Sequence, residues 1–218
     1  MEQREKQIAK QLLEIGAVHL RPENPFTWTS GLRSPIYCDN RMTMSYPEVR
    51  RMVAQAFADV IREKYPQAEV VAGTATAGIP HAAWVAELLG LPMIYVRDKA
   101  KGHGRNNQIE GVLREGQKVV VIEDLISTGG SSIKAADAVK EAGGQVLSVL
   151  AIFSYQFEKA EKAFIEAGYA FETISNYTAL LEQAKEQGIL QEEQVGELVQ
   201  WRINPEAYTE KWNSQGVN

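Results

Sequence analysis

The chain of 218 residues has a single cysteine, Cys38, so no intrachain disulfide can form and the fold has to rest on packing. No apolar run approaches the roughly 20 residues that a membrane helix needs, and no charged leader followed by an apolar core opens the sequence. A cytoplasmic protein without a membrane contact is the expectation. Positive charge is also in short supply. At a formal net charge of -5 there is no general nucleic-acid footprint, so any anion site must be a local cluster of cations or amides. Two nucleotide-binding signatures are missing as well. The nearest string to a GxxxxGK[ST] loop, Gly111 to Lys118, has Gln117 where the lysine should follow, and no GxGxxG follows an early strand.

What is present suits one packed domain over 1–218 with a small cap, since 44% of the chain is hydrophobic. Ile8, Leu12, Leu13 and Ile15 recur at helical spacing over 3–15, and 47–63 repeats the pattern with Pro47 placed for a first turn. Short aliphatic runs follow at Val70 to Ala72, Met93 to Val96, Val119 to Ile122 and Val146 to Phe153, separated by helical stretches near 79–89 and 131–142. This alternation predicts an α/β fold, a central and mainly parallel sheet flanked by helices. Polar helices over Asn176 to Trp201 complete the cap or a dimer contact.

In such sheets ligands sit beyond the carboxyl ends of the strands. Three segments fall there: GTATAGIP (Gly73 to Pro80), the basic stretch after Val96, and EDLISTGGS (Glu123 to Ser131). The last is the most informative. A buried strand ends in two acids and runs into a hydroxyl- and glycine-rich turn before a helix. The turn's amides, the helix N-terminus and the hydroxyls of Ser127, Thr128 and Ser131 suit a phosphate, with Gly129 and Gly130 letting the main chain come close. Glu123 and Asp124 suit the opposite partner, because ionised carboxylates accept from vicinal sugar hydroxyls or face a hydrated Mg2+ and repel phosphate. The ligand therefore has a hydroxylated part and an anionic part. An ordinary strand, turn and capped helix is the plain alternative.

The string IEDLISTGGS resembles the phosphoribosyl pyrophosphate signature of the type I phosphoribosyltransferases. Tyr95 to Gly111, YVRDKAKGHGRNNQIEG, resembles the mobile catalytic loop of the orotate phosphoribosyltransferases, and Phe26 to Asn40, FTWTSGLRSPIYCDN, resembles that family's orotate-binding stretch. The similarity runs from about residue 10 to residue 155.

The resemblance implies the family's fold, with a hood whose N-terminal part is 1–45 and a closing loop at 98–111 that reaches the partner's site in a homodimer. It implies orotate and phosphoribosyl pyrophosphate as substrates and orotidine 5'-monophosphate and pyrophosphate as products, in pyrimidine (UMP) biosynthesis. Mg2+ would be held mainly through the substrate, with no firm protein ligand. Catalytic roles fall on Arg97, Lys101, His103 and Asp124. Phosphoribosyl pyrophosphate would meet Thr76, Ala77, Arg97, Lys101, His103, Glu123, Asp124, Leu125, Ile126, Ser127, Thr128, Gly129, Gly130 and Ser131; orotate would meet Tyr37, Cys38, Ser127 and Tyr155. Tyr155 stands where the enteric pattern has a base-stacking arginine, and an aromatic face can stack instead. Thr29, Ala77 and Asp98 replace family lysines, leaving Lys99 and Arg33 as candidate substitutes, while His81 has a structural reading and His19 no motif context. A purine or uracil enzyme of the same superfamily, and a nucleic-acid-binding regulator, are the alternatives; the first would not need the KGHGRNNQIEG segment and the second would need a basic face.

Overall fold

The computed structural model describes residues 2–99 and 108–214. In chain order the elements are α1 (Glu2–Glu14), β1 (Val18–Leu20), β2 (Phe26–Thr27), β3 (Arg33–Ser34), β4 (Ile36–Cys38), a 3-10 helix (Asn40–Ser45), α2 (Pro47–Lys64), β5 (Val70–Thr74), α3 (Gly78–Leu89), β6 (Met93–Val96), β7 (Ile109–Glu110), β8 (Lys118–Ile126), α4 (Gly130–Glu141), β9 (Gln145–Ser154), α5 (Glu158–Ala167), β10 (Phe171–Asn176), α6 (Tyr177–Glu186), α7 (Glu192–Ile203) and α8 (Pro205–Ser214). The expected helices over 3–15, 47–63, 79–89 and 131–142 are α1 to α4, and Pro47 opens α2.

Six strands form the main sheet in the order β10-β9-β8-β5-β6-β7, parallel except for β7, which runs antiparallel to β6. Why both faces are covered is visible within single strands. Val71, Val120, Ile122, Leu150 and Ile152 join one apolar layer with α1, α2, α3 and α6, whereas their neighbours Val70, Ala72, Val119, Val121, Val149 and Ala151 join a second layer with α4 and α5. A strand buried on both sides needs apolar residues without alternation, which is how VVVI reads. Those four residues are 0% exposed, and each contributes about 1.5–3 kcal/mol by burial.

Strand β8 corrects the expectation that its acids mark a strand end. Pairing with β9 continues through Glu123↔Ala151 and Leu125↔Phe153 to Ile126↔Ser154, so the acids sit inside the strand. The segment expected as a loop to Gly111 is likewise shortened at its far side. Tyr95↔Glu110 and Val96↔Ile109 pair, and Arg97 N donates to the Gln108 carbonyl at 2.9 Å.

Two small antiparallel ribbons, β1 with β4 and β2 with β3, carry the N-terminal segment over the carboxyl edge of the sheet. They are tied to the C-terminal helices. Trp201 Nε1 donates to the Arg33 carbonyl at 3.1 Å, and Arg33 N donates to Thr209 Oγ1 at 2.9 Å. Trp201 is fully buried among Trp28, Tyr155, Phe157 and Tyr177, so α7 and the N-terminal ribbons share one aromatic cluster.

Candidate active site

Strand order reverses direction between β5 and β8, so the chain leaves these neighbours on opposite sides and a crevice opens beyond their carboxyl ends. A cavity of about 590 Å³ occupies it, lined by the turn after β5, the end of β6, the acids of β8 and the start of α4. A second cavity of about 900 Å³ lies between the N-terminal ribbons, the β8–α4 turn and the C-terminal helices. Leu125 lines both, so the two meet at β8.

The first cavity joins two opposite chemistries. Helix α4 begins after Gly129, which sits at φ +83, and the exposed Gly130 and Ser131 leave the helix's first turn open to the cavity. Unpaired amides there favour an anion. A side chain at Gly129 would also strike the Phe164 ring of α5 at 2.8 Å, so glycine is required on both counts.

Against that same first turn stand the acids. Glu123 is 6% exposed; its carboxylate accepts from Ser132 Oγ at 3.2 Å and from Asp124 N at 3.0 Å. Burial, reinforced by the charge of Asp124, pushes its pKa up from 4.5 to about 7. Burial raises Asp124 too. The rise at Glu123 corresponds to a cost of about 3 kcal/mol for holding it ionised. The buried aliphatics before it in β8 outweigh that cost, so the fold can present a carboxyl pair in want of hydrogen-bond donors or a cation.

A pH prediction follows with a definite sign. Because the folded pKa is raised, the folded chain binds the extra proton between pH 4.5 and 7, and stability falls as pH rises through that window. Glu123→Gln should therefore raise the melting temperature of the ligand-free protein at pH 8 and have little effect at pH 4.5. A gain of about 1–2 kcal/mol is expected, with weaker binding of phosphoribosyl pyrophosphate. Thermal melts at the two pH values check it; equal shifts at both would sink the account.

The turn after β5 is shaped by packing as much as by ligand. A side chain at Gly78 would collide with the Ile122 carbonyl and with Thr74 Oγ1, and Thr74 Oγ1 itself donates to that carbonyl at 3.2 Å. Gly78 thus lets α3 start directly against β8, one residue before Glu123. Thr76 and Ala77 line the cavity, and the Ala75–Thr76 peptide is cis. Arg97 also lines it, with Nη1 at 3.4 Å from Glu110 Oε1 across the β6–β7 ribbon. Lys134, one turn into α4, is a lining cation that the motif reading missed; its signal is the helical i, i+3 spacing from Ser131.

The second cavity is an aromatic slot. Phe26, Trp28, Tyr37, Tyr155 and Phe157 line it together with Cys38, Ser127 and Thr128. Tyr155 corrects the stacking expectation. It is 3% exposed and its ring packs on Phe157 at 5.4 Å and Trp28 at 5.4 Å, so it forms part of the wall instead of offering an open face. Trp28, half-buried, and the exposed Tyr37 are the more accessible aromatics. Cys38 stays a thiol, because burial first and then the charges of Asp124 and Asp39 push its pKa far up. Its Sγ donates to Asn40 Oδ1 at 3.2 Å, and Asn40 Nδ2 donates to the Asp124 carbonyl at 2.8 Å, which links the slot to the acids.

Other candidates fall elsewhere. Ile126 is fully buried in the layer facing α4 and α5, so its side chain is out of a ligand's reach, and its carbonyl accepts from Tyr155 N at 3.3 Å. His81 is structural: fully buried, edge-on to Trp84, with its pKa pushed down by burial to about 4. Arg33 is not among the residues lining either cavity; its guanidinium donates to Thr27 Oγ1 at 3.1 Å. Lys99 is exposed. Lys101 and His103 lie outside the described residues. Among those described, no group of three or more His, Cys, Asp or Glu could hold a metal ion, and no helix is long and apolar enough to cross a membrane.

An acid pair, an open helix start and an adjoining aromatic slot gather at the switch point of a parallel sheet, and residues 43–177 match the family model described as "Phosphoribosyl transferase domain". The chain is 56% identical over 204 residues to an orotate phosphoribosyltransferase of Listeria innocua, spanning 94% of this chain and 98% of that one. It also resembles the crystal structure of the Aeropyrum pernix orotate phosphoribosyltransferase (TM-score 0.72, 29% identity, 84% of this chain and 99% of that one). A Leishmania donovani UMP synthase matches with TM-score 0.75 and 30% identity over 90% of this chain but only 42% of that longer one. The chain belongs to the orotate phosphoribosyltransferase family.

Proposed function

We propose that the two cavities divide the substrates of this enzyme between them: phosphoribosyl pyrophosphate in the crevice at the acids and α4, orotate in the aromatic slot. The activity is that of an orotate phosphoribosyltransferase in pyrimidine biosynthesis. Orotate N1 gives up its proton to water and bonds to C1' of phosphoribosyl pyrophosphate, the C1'–O bond breaks with its electron pair going to pyrophosphate, and orotidine 5'-monophosphate is formed. The observation that supports the assignment is Leu125, which lines both cavities, so that a ligand in each could bring its reacting end to the same point of β8.

The chain's charges follow the course of the reaction. As pyrophosphate departs, the ribose ring becomes cation-like and the leaving oxygens gain negative charge. Asp124 and Glu123 hold the ribose hydroxyls and favour the developing positive ring; the open turn at Gly130 and Ser131 holds the 5'-phosphate. Arg97, with Lys101 and His103, stabilises the leaving pyrophosphate, and Lys134 adds positive charge to the same cavity. The acid pair fits a hydrated Mg2+ facing it through water. When bound, the ion would neutralise negative charge building on pyrophosphate.

The rest of the reading rests on sequence and packing. The ribbons β1 to β4, residues 18–38, tied at Arg33 to α7 and α8, act as a hood over the base; α1, expected as part of a hood over 1–45, packs on the main sheet instead, with Ser175 Oγ donating to the Glu5 carbonyl at 2.9 Å. The polar, glycine-rich stretch of sequence between Arg97 and Gln108, shorter than the expected 98–111, closes over pyrophosphate and excludes water, reaching the site of the partner in a homodimer. The enzyme works in the cytoplasm. The test is loss of orotate's near-ultraviolet absorbance with phosphoribosyl pyrophosphate and Mg2+, with uracil, adenine and hypoxanthine in parallel. Turnover of orotate alone is expected; turnover of a purine instead would overturn the assignment of the slot.

A further inference from the structure

The aromatic slot accepts an anion, yet its wall is apolar around Trp28, Tyr37, Tyr155 and Phe157. Among the described residues two cations line it, Lys159 and Arg202. Lys159 is exposed in the first turn of α5. Arg202 is half-buried and is held from several sides. Its Nη1 donates to Gln156 Oε1 at 3.0 Å and to Thr178 Oγ1 at 2.9 Å, and its guanidinium carbon lies 5.9 Å from the Tyr177 ring centroid.

We propose that Arg202, at the end of α7, is the charge partner of the orotate carboxylate in the slot. The guanidinium has five N–H donors, and the two given are both on Nη1; Nη2 and Nε are left for a carboxylate, which they can meet as a fork. No carboxylate of the described residues forms an ion pair with Arg202. Of the acids in the slot, Glu158 is paired with Lys162 at 2.6 Å, and Glu206 is exposed in the first turn of α8.

A second feature points the same way. Gln156, which clamps Arg202, is the one non-glycine among the described residues with positive φ, at 58°. That conformation costs free energy and persists where the surroundings require it. Here it turns Gln156 so that Oε1 accepts from Thr178 N at 3.0 Å, Thr178 Oγ1 at 2.6 Å and Arg202, fixing the guanidinium before any ligand arrives. The phosphate end of the donor substrate is served by the open start of α4 in the other cavity, which Arg202 does not line. Residue 202 also lies beyond the segment 43–177 that matches the transferase model, so base recognition extends into the C-terminal helices.

The proposal rests on orotate occupying the slot. Steady-state kinetics of Arg202→Gln, Arg202→Lys and Lys159→Ala test it, with KM measured for orotate and for phosphoribosyl pyrophosphate separately. Arg202→Gln should raise the orotate KM on the order of 30-fold, as loss of a charge-assisted fork would, with the phosphoribosyl pyrophosphate KM within about threefold as the check on fold. Arg202→Lys keeps the charge and the packed stem and should fall between. Lys159→Ala should raise the orotate KM by less than Arg202→Gln does, since Lys159 is exposed. An unchanged orotate KM in both Arg202 variants, a larger effect in Lys159→Ala, or a shift mainly in the phosphoribosyl pyrophosphate KM would overturn the proposal. A wild-type enzyme inactive with orotate but active with another base would instead defeat the assignment of the slot.

Discussion

Gly78→Ala should be among the most damaging single-methyl additions the chain can receive. The new Cβ would lie 2.5 Å from Thr74 Oγ1 and closer still to the Ile122 carbonyl. Neither neighbour can yield cheaply. Ile122 belongs to a strand paired on both sides, with β5 and β9, and Thr74 is 4% exposed at the end of β5. Overpacking against backbone costs about 3 kcal/mol, which for a chain of this size lowers the melting temperature by roughly 6–12 °C. The functional effect should be out of proportion to the stability loss. Ile122 immediately precedes Glu123, so a displaced carbonyl moves the acid pair, and binding of phosphoribosyl pyrophosphate should weaken at least tenfold at temperatures where the variant is still folded. Calorimetry and a binding titration at 20 °C measure the two effects. A melting temperature within about 2 °C of wild type would show that α3 can slide away from β8 and that the glycine serves the ligand alone.

That glycine also marks how far the sequence could be read. GTATAGIP stood out as a turn of small residues at a strand's carboxyl end, and the turn is there. The reason for its last glycine was hidden, because the contact is with Ile122, 44 positions away in the chain. The same division holds across the fold. Val119 to Ile122 were legible as a strand because burial on both faces requires an unbroken apolar run. Glu123 and Asp124 belong to the same strand, but only the pairing with Ala151 to Ser154 reveals it, and charged residues at the edge of an apolar run read as its end. Tyr155 was legible as a residue of the slot; its burial was not, since Trp28 and Trp201 come to it from the two ends of the chain. Arg202 had no motif at all. Its place depends on Trp201 reaching the Arg33 carbonyl, 168 residues apart, and on the left-handed turn at Gln156, neither of which leaves a local pattern.

Lys101→Ala should cause the largest loss of turnover of any change named here. If the leaving pyrophosphate is stabilised mainly as its charge develops, removing one cation from it lowers kcat about 10³-fold while the orotate KM stays within a few-fold, because the base slot is untouched. Asp124→Asn should also inactivate, by losing the carboxylate that faces the ribose as positive charge builds there. The two variants together test where residue 101 acts. If each loop serves the partner's crevice, a dimer of one Lys101→Ala chain and one Asp124→Asn chain has one intact site: the acids of the first chain under the loop of the second. Its other site carries both defects. Random reassortment of equal amounts makes half of the dimers mixed, so the mixture should recover about a quarter of wild-type turnover. If each loop serves its own chain, every site in the mixed dimer retains one defect and nothing is recovered. Mixed dimers purified with two different affinity tags make the comparison direct, and activity in them at the level of the separate variants would remove the crossed arrangement while leaving Lys101 in its catalytic role.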